Sequence, residues 1–341
     1  VSAVRPYSID PEAVASWAAA RGYRKLLLQA PDGIKRYVVE VAEELEDRGF
    51  KVLLSASHAW GGCDVALAEL AGAGCDALVH VGHHGPVRFR APKNVLFVPA
   101  YSTVEVDGVL ESAAAKLSSE GVRKVGLISS VQHVHQLERA RRVLAEYGIE
   151  ALTSKSPDPA MPEGLVIGCD ARAAEKLRGS VDAFLVIAGG VFHALGVALA
   201  TGAATYAADP YTGRVAEVGQ MARKAVARRL ADLAAALEAR SGLLIASVKP
   251  GQRVGWSRLE SLRGLLSRRG LRLRVAVCDD VTRDALQDYG GADVYINAAC
   301  PRLAVDDAGM FPGPVANARE LELVLEKGLE RYEPRYALLP P

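Results

Sequence analysis

One pattern recurs three times along the chain and restricts its fold more than any other feature. A short apolar run leads through a turn into an amphipathic stretch, the stretch is closed by glycine, and a second apolar run follows. The amphipathic stretches are Val38 to Asp47, Leu137 to Tyr147 and Leu259 to Arg269, closed by Gly49, Gly148 and Gly270. Glycine just past a helix is expected because it enters the left-handed backbone region without strain. Apolar runs alternating with helical stretches mark an α/β protein with mainly parallel sheets. The predicted strands are Lys25–Ala30, Val52–Ser57, Ala77–Gly82 and Val95–Ala100, then Lys124–Ser129, Ala151–Ser154, Phe184–Ala188 and Ala204–Ala208. In the last third they are Leu243–Val248, Leu273–Val277, Val294–Ala298 and Tyr336–Leu339. The third strands also match: Ala77-Leu78-Val79-His80-Val81-Gly82, Phe184-Leu185-Val186-Ile187-Ala188-Gly189 and Val294-Tyr295-Ile296-Asn297-Ala298-Ala299. We therefore expect three homologous α/β domains, 1–104, 105–212 and 213–341, the third opened by a long helix from Ala216 to Ala239. Each would carry a four-stranded sheet, and the three would surround a central cleft with pseudo-threefold symmetry. Parallel sheets place ligand sites at the carboxyl ends of their strands, so three loop sets would face that cleft.

Composition narrows the partners. Among 341 residues, 41 Lys and Arg against 40 Asp and Glu leave a net charge of +1, which argues against a broad polyanion-binding surface and against direct nucleic-acid binding. Residues Val1 to Pro11 lack the apolar run of a signal peptide, so a cytoplasmic location is expected. Ala183 to Ala208 has no Asp, Glu, Lys or Arg, but Gly189-Gly190, His193, Gly196 and Gly202 interrupt it. It reads as strand, short helix (Ala194 to Ala200) and strand rather than as a membrane span. There is no GxxxxGK[ST], GxGxxG or GxSxG, so phosphate-loop ATPases, ordinary dinucleotide enzymes and esterases lack sequence support. His133 and His135, and the adjacent His83 and His84, lack the close Cys/His spacing of a zinc site. Two arginine-bearing stretches, Arg263 to Arg274 and Val87-Arg88-Phe89-Arg90, are candidate docking segments.

The five cysteines are widely spaced. Cys63 follows a strand as Gly61-Gly62-Cys63-Asp64, Cys169 follows Leu165-Val166-Ile167 as Gly168-Cys169-Asp170, and Cys300 ends a strand as Ala298-Ala299-Cys300-Pro301-Arg302. That is one per domain, at carboxyl ends. Three thiolates converging from three domains suit an iron–sulfur cluster with one iron free of protein ligands. Cys75 precedes its strand and reads as structural. Cys278-Asp279 echoes Cys63-Asp64 and Cys169-Asp170, so strict repeat logic nominates Cys278 beside Cys300, and the repeat alone does not decide between them.

Gln29-Ala30-Pro31-Asp32-Gly33-Ile34, Gly61-Gly62-Cys63-Asp64, His80-Val81-Gly82-His83-His84-Gly85, Ile167-Gly168-Cys169-Asp170 and Ala298-Ala299-Cys300-Pro301-Arg302 together resemble the archaeal Dph2 family of diphthamide biosynthesis enzymes, from about residue 20 onward. The resemblance implies a homodimer holding a [4Fe–4S] cluster through Cys63, Cys169 and Cys300, which decides against Cys278. It implies that the open iron engages S-adenosyl-L-methionine, that the reduced cluster cleaves its Cγ–S bond, and that a 3-amino-3-carboxypropyl radical adds to a histidine of translation elongation factor 2. No catalytic residue beyond the cluster is implied, and the electron donor is unidentified. The CxxxCxxC signature of conventional radical-SAM enzymes is absent, as that family leads one to expect. For S-adenosylmethionine contacts the candidates are Gly82, His83, Gly85, Gly189 and Gly190, through backbone N–H groups, with Gln252 and Arg302 for its carboxylate or ribose. The competing readings are a quinolinate-synthase-like [4Fe–4S] dehydratase and a cluster-free ligand-binding or transferase protein.

Overall fold

The computed structural model describes residues 6–287 and 289–341, so Val1–Arg5 of the N-terminal segment lie outside the described residues. Its strands are β1 (Tyr7–Ser8), β2 (Lys25–Gln29), β3 (Lys51–Leu54), β4 (Ala77–Val81), β5 (Val95–Val98) and β6 (Tyr101–Ser102). Next come β7 (Lys124–Ser129), β8 (Glu150–Leu152), β9 (Ala183–Ile187), β10 (Thr205–Asp209) and β11 (Arg214–Glu217). The last are β12 (Ser241–Ser247), β13 (Arg272–Cys278), β14 (Val294–Ala298) and β15 (Val315–Asn317). Three sheets run in the orders β3-β2-β4-β5, β8-β7-β9-β10-β11 and β13-β12-β14-β15. Counted within each of these sheets, the first four strands always run second, first, third, fourth, and every pairing among them is parallel. The α/β class thus appears as expected, and one strand order recurs in three sheets.

The third strand of each unit is buried along its whole length, which is why it reads as an unbroken apolar run. Helices Lys35–Asp47, Leu137–Glu146 and Trp256–Ser267 occupy the predicted stretches, and Gly49, Gly148 and Gly270 all adopt positive φ behind them. A second repeated device stands one residue before each third strand. Asp76, Asp182 and Asp293 each accept the backbone N–H groups of the first residue of β2, β7 or β12 and of the residue before it, at 2.7 to 3.1 Å. Those bonds hold all three carboxyls below the usual carboxylate range.

Four expectations need correction. Tyr336–Leu339 is not a strand: Pro334–Leu338 forms a 3-10 turn, and the fourth strand of the third sheet is β15. The second sheet has a fifth strand, because β11 pairs antiparallel with β10 from beyond residue 212. The long helix accordingly starts later, at Gly219–Glu238. Leu165-Val166-Ile167 is not a regular strand either. Leu165 makes a single bridge to Ser129, and Ile167 and Asp170 bond each other across a tight turn that carries Cys169. The glycine-rich stretch 183–208 folds as β9, helix Phe192–Thr201 and β10, and among the described residues no helix is long and apolar enough to cross a membrane.

The long helix is fastened to the third sheet by one buried cation. Arg229 has no exposed surface, and it donates to the carbonyl oxygens of Val315 and Ala304 and to the carboxylates of Asp232 and Glu320. Removing one partner of a buried pair costs about 3–5 kcal/mol, because the remaining charge is left without compensation. Glu320→Ala should therefore lower the thermal midpoint clearly, whereas Lys116→Ala, at an exposed i,i+4 pair with Glu120, should leave it nearly unchanged. Equal midpoints for both variants would contradict this account of the fastening.

Candidate cysteine-lined site

Gln29 ends β2 and fixes the loop that holds Cys63. Its amide donates to the Asp64 carbonyl at 3.0 Å, its oxygen accepts the Ala66 N–H at 3.0 Å, and it meets the His80 imidazole at 2.9 Å. In the third unit a pair of buried asparagines does the same for Cys300. Asn297 near the end of β14 donates to the Cys300 carbonyl at 2.7 Å, and Asn317 at the end of β15 donates to the Pro301 and Ala337 carbonyls, each at 2.9 Å. Such buried amides are costly to leave unpaired, by about 1–3 kcal/mol each, so these loops have little freedom. The turn bearing Cys169 is backed by helix Phe192–Thr201, where Gly196 leaves room for the Gly168 carbonyl.

The three loops touch. Gly251, in the loop after β12, donates its N–H to the Cys63 carbonyl at 2.8 Å, and a Cβ there would stand 2.6 Å from the Cys63 Cα. Arg302, two residues past Cys300, donates to the Gly168 carbonyl at 3.1 Å. Arg88 donates to the Cys169 carbonyl at 3.3 Å, and the preceding Val87 is bonded to Gly62 in the Cys63 loop at 3.0 Å. The thiols feel one another. The Cys300 thiol is pushed up to about 12 by burial and then by Cys169 and Cys63, and the Cys63 thiol is raised by burial with a further contribution from Cys169. Burial also raises the Cys169 thiol. Cys278 stands apart. Its thiol lies 3.9 Å from the Ala246 carbonyl and is raised by burial and by Asp279 and Asp280, with none of the other three acting on it. Cys75 opens the approach to β4, at the amino end. Among the described residues no group of three or more His, Cys, Asp or Glu side chains gathers tightly enough for a single metal ion.

Several nominated contact residues are already engaged. Gln252 is buried and donates to the Cys63 sulfur at 3.4 Å, so it serves the thiol directly. Arg302 is 4% exposed, is spent on Gly168, Phe192 and Asp306, and lies over the Phe192 ring at 3.9 Å. It braces two loops instead of reaching into the cleft. The N–H groups of Gly82 and Gly190 go to the Val98 carbonyl and the Asp209 carboxylate. Those of Gly85 and Gly189 donate to nothing among the described residues. His83 meets His80 at 2.8 Å. Sequence reasoning missed Lys249, which is buried and paired with Asp64 at 2.9 Å and Asp280 at 3.0 Å, tying the Cys63 loop to the third unit. It also missed the clamps Gln29, Asn297 and Asn317, although a polar residue at the end of an apolar run (Gln29) or one short of its end (Asn297) was the available signal. A cavity of 350 Å³ opens beside Cys169 between His84, Arg88, Asp170 and Leu338, a size ordinary for a small-molecule site.

His83 and His193 are both held down to about 4, mainly by burial. Between pH 6.5 and 4 the unfolded chain binds protons that these folded imidazoles refuse, so stability falls as pH drops through that window. The slope is up to about 1.4 kcal/mol per pH unit for each group. Urea melts at pH 7 and pH 5 should show the loss, and His83→Gln should make it smaller; identical pH dependence in variant and wild type would contradict the assignment.

A family model described as "Putative diphthamide synthesis protein" matches residues 30–336. The chain is 33% identical over 315 residues to the 2-(3-amino-3-carboxypropyl)histidine synthase of Pyrococcus horikoshii, covering 92% of this chain and 88% of that one. It is 25% identical over 307 residues to subunit 1 of the Nematostella vectensis synthase, covering 89% of this chain and 64% of the longer relative. Among solved structures, Pyrococcus horikoshii Dph2 with a 4Fe-4S cluster superposes with a TM-score of 0.82 at 30% identity, over 94% of this chain and 91% of that chain.

Proposed function

The chain belongs to the diphthamide synthesis protein family, and from that premise we propose that it is a 2-(3-amino-3-carboxypropyl)histidine synthase. It would move the 3-amino-3-carboxypropyl group of S-adenosylmethionine onto a histidine of translation elongation factor 2. The single observation that carries this reading is the meeting of the Cys63, Cys169 and Cys300 loops at one junction, from three units of one topology.

The donor set fits a [4Fe–4S] group. Thiolates are the usual ligands of such clusters, and three rather than four leave one iron open. Thiols that burial holds protonated become favourable thiolates once a metal supplies the compensating charge. Bound there, the group would supply a low-potential electron for cleavage of the substrate's carbon–sulfur bond. This chain's residues do the rest. Cys63, Cys169 and Cys300 would hold the group, and Gln252 would hydrogen-bond the Cys63 sulfur, an interaction that tunes such ligands. Arg302 and Lys249 lock the loops so that the three sulfurs keep their spacing. The free N–H groups of Gly85 and Gly189 and the neutral His83 imidazole remain for the methionyl end of the substrate, with the cavity beside Cys169 as room for a small molecule. The reading divides the chain near residues 104 and 212, with β11 completing the second sheet from beyond the latter point. It further carries a homodimer, a cytoplasmic location and a separate low-potential electron donor.

Anaerobic, reduced protein incubated with S-adenosylmethionine and elongation factor 2 should yield methylthioadenosine and a factor heavier by one aminocarboxypropyl group. Iron-loaded protein that leaves S-adenosylmethionine intact would overturn the reading.

A further inference from the structure

Arg88 occupies a costly position that the roles above do not use. Among the described residues it is the one non-glycine residue with positive φ, at +62°, a region that L side chains enter only at a penalty. The segment is pinned there from two sides. The Val87 N–H bonds the Gly62 carbonyl at 3.0 Å, and the Val87 carbonyl lies against Gly251, where an added Cβ would stand 2.1 Å from its oxygen. The turn directs the Arg88 guanidinium across the cleft to the Cys169 carbonyl.

The neighbouring charges are matched in pairs. Asp64, beside Cys63, is paired with Lys249; Asp170, beside Cys169, with Arg172; and Arg302, beside Cys300, with Asp306. Arg88 has no carboxylate partner among the described residues. A lone cation bonded to the Cys169 backbone, on a strained segment pinned against the Cys63 loop, is placed for an anion held between those loops.

We propose that Arg88 is a positioning residue for charge: it offsets the negative charge that a cysteine-held cluster gains with its electron, and so sets the potential at which a low-potential one-electron donor can reduce it. The inference rests on the proposed function. With three thiolates, a 2+ cluster carries a net charge of −1 and its one-electron-reduced form −2; no proton or bond changes hands. A nearby cation favours the more negative form, so losing it shifts the couple to lower potential.

The test is a redox titration of anaerobically reconstituted protein, followed by the electron paramagnetic resonance signal of the reduced cluster, on wild type, Arg88→Gln, Arg88→Lys and Arg90→Gln. Arg88→Gln removes the charge and keeps the same backbone demand. At the wild-type midpoint its oxidised-to-reduced ratio should rise from 1 to about 10, equivalent to a 59 mV shift for a one-electron couple. Arg88→Lys should stay near wild type. Arg90→Gln, which removes an exposed charge two residues on, should not move the midpoint. If Arg88→Gln does not fold, Arg88→Gly supplies an uncharged variant suited to positive φ, with the same expectation. An unchanged midpoint in the uncharged variant, or equal shifts in the Gln and Lys variants, overturns the inference and leaves the proposed function standing. Wild-type protein that takes up no iron and sulfide overturns the proposed function, and this inference with it.

Discussion

Holding three half-buried thiols within electrostatic reach of one another is a constraint the whole molecule has to satisfy. Each thiolate would repel the other two and lose its hydration, which is why the Cys300 thiol is driven so far up. The chain does not relieve this by spreading the loops or exposing them. It spends buried amides, a buried lysine and a buried arginine on keeping them in place. A set of groups held against its own electrostatics suits a ligand that reverses them, and a metal group that draws in thiolates does so.

The repeated topology delivers the loops. Each sheet has its first strand flanked by its second and third, so a crevice opens beyond their carboxyl ends, the usual ligand position in parallel sheets. Cys63 and Cys169 follow the second strand of their units, whereas Cys300 follows the third. The positional equivalent of Cys63 in the third unit is Cys278, and it points elsewhere. In this unit the asparagine pair Asn297 and Asn317 carries the loop instead. The repeat therefore built three similar crevices, and the site departs from strict repetition where one crevice supplies its cysteine from a different strand.

Much of the fold was legible because it is periodic. Fully buried strands give continuous apolar runs, and glycine stops mark helix ends, so the inner strands and the helices before Gly49, Gly148 and Gly270 could be placed from sequence. The edges were not legible for the same reason. The three-residue Val315–Asn317 strand is too short to show a period, while the apolar Tyr336–Leu338 run is buried as a turn, with Asn317 donating to the Ala337 carbonyl. Strand Arg214–Glu217 is a half-exposed edge, polar at both ends, and carries no apolar signal. Among the candidate ligands, position nominated Cys63, Cys169 and both Cys278 and Cys300, and only the family resemblance chose Cys300 over Cys278. The roles of the polar residues were not legible, because a sequence does not reveal whether an arginine such as Arg302 has donors to spare or, as here, commits them to Gly168, Phe192 and Asp306.

The central claim is that three particular sulfurs, and no others, grasp one group. Its most direct test is iron and sulfide content, with the electron paramagnetic resonance spectrum, of anaerobically reconstituted Cys63→Ala, Cys169→Ala, Cys300→Ala, Cys75→Ala and Cys278→Ala proteins. The account predicts loss of the four-iron signal in the first three and wild-type content in the last two. A Cys300→Ala protein that keeps a full cluster while Cys278→Ala loses it would contradict the account.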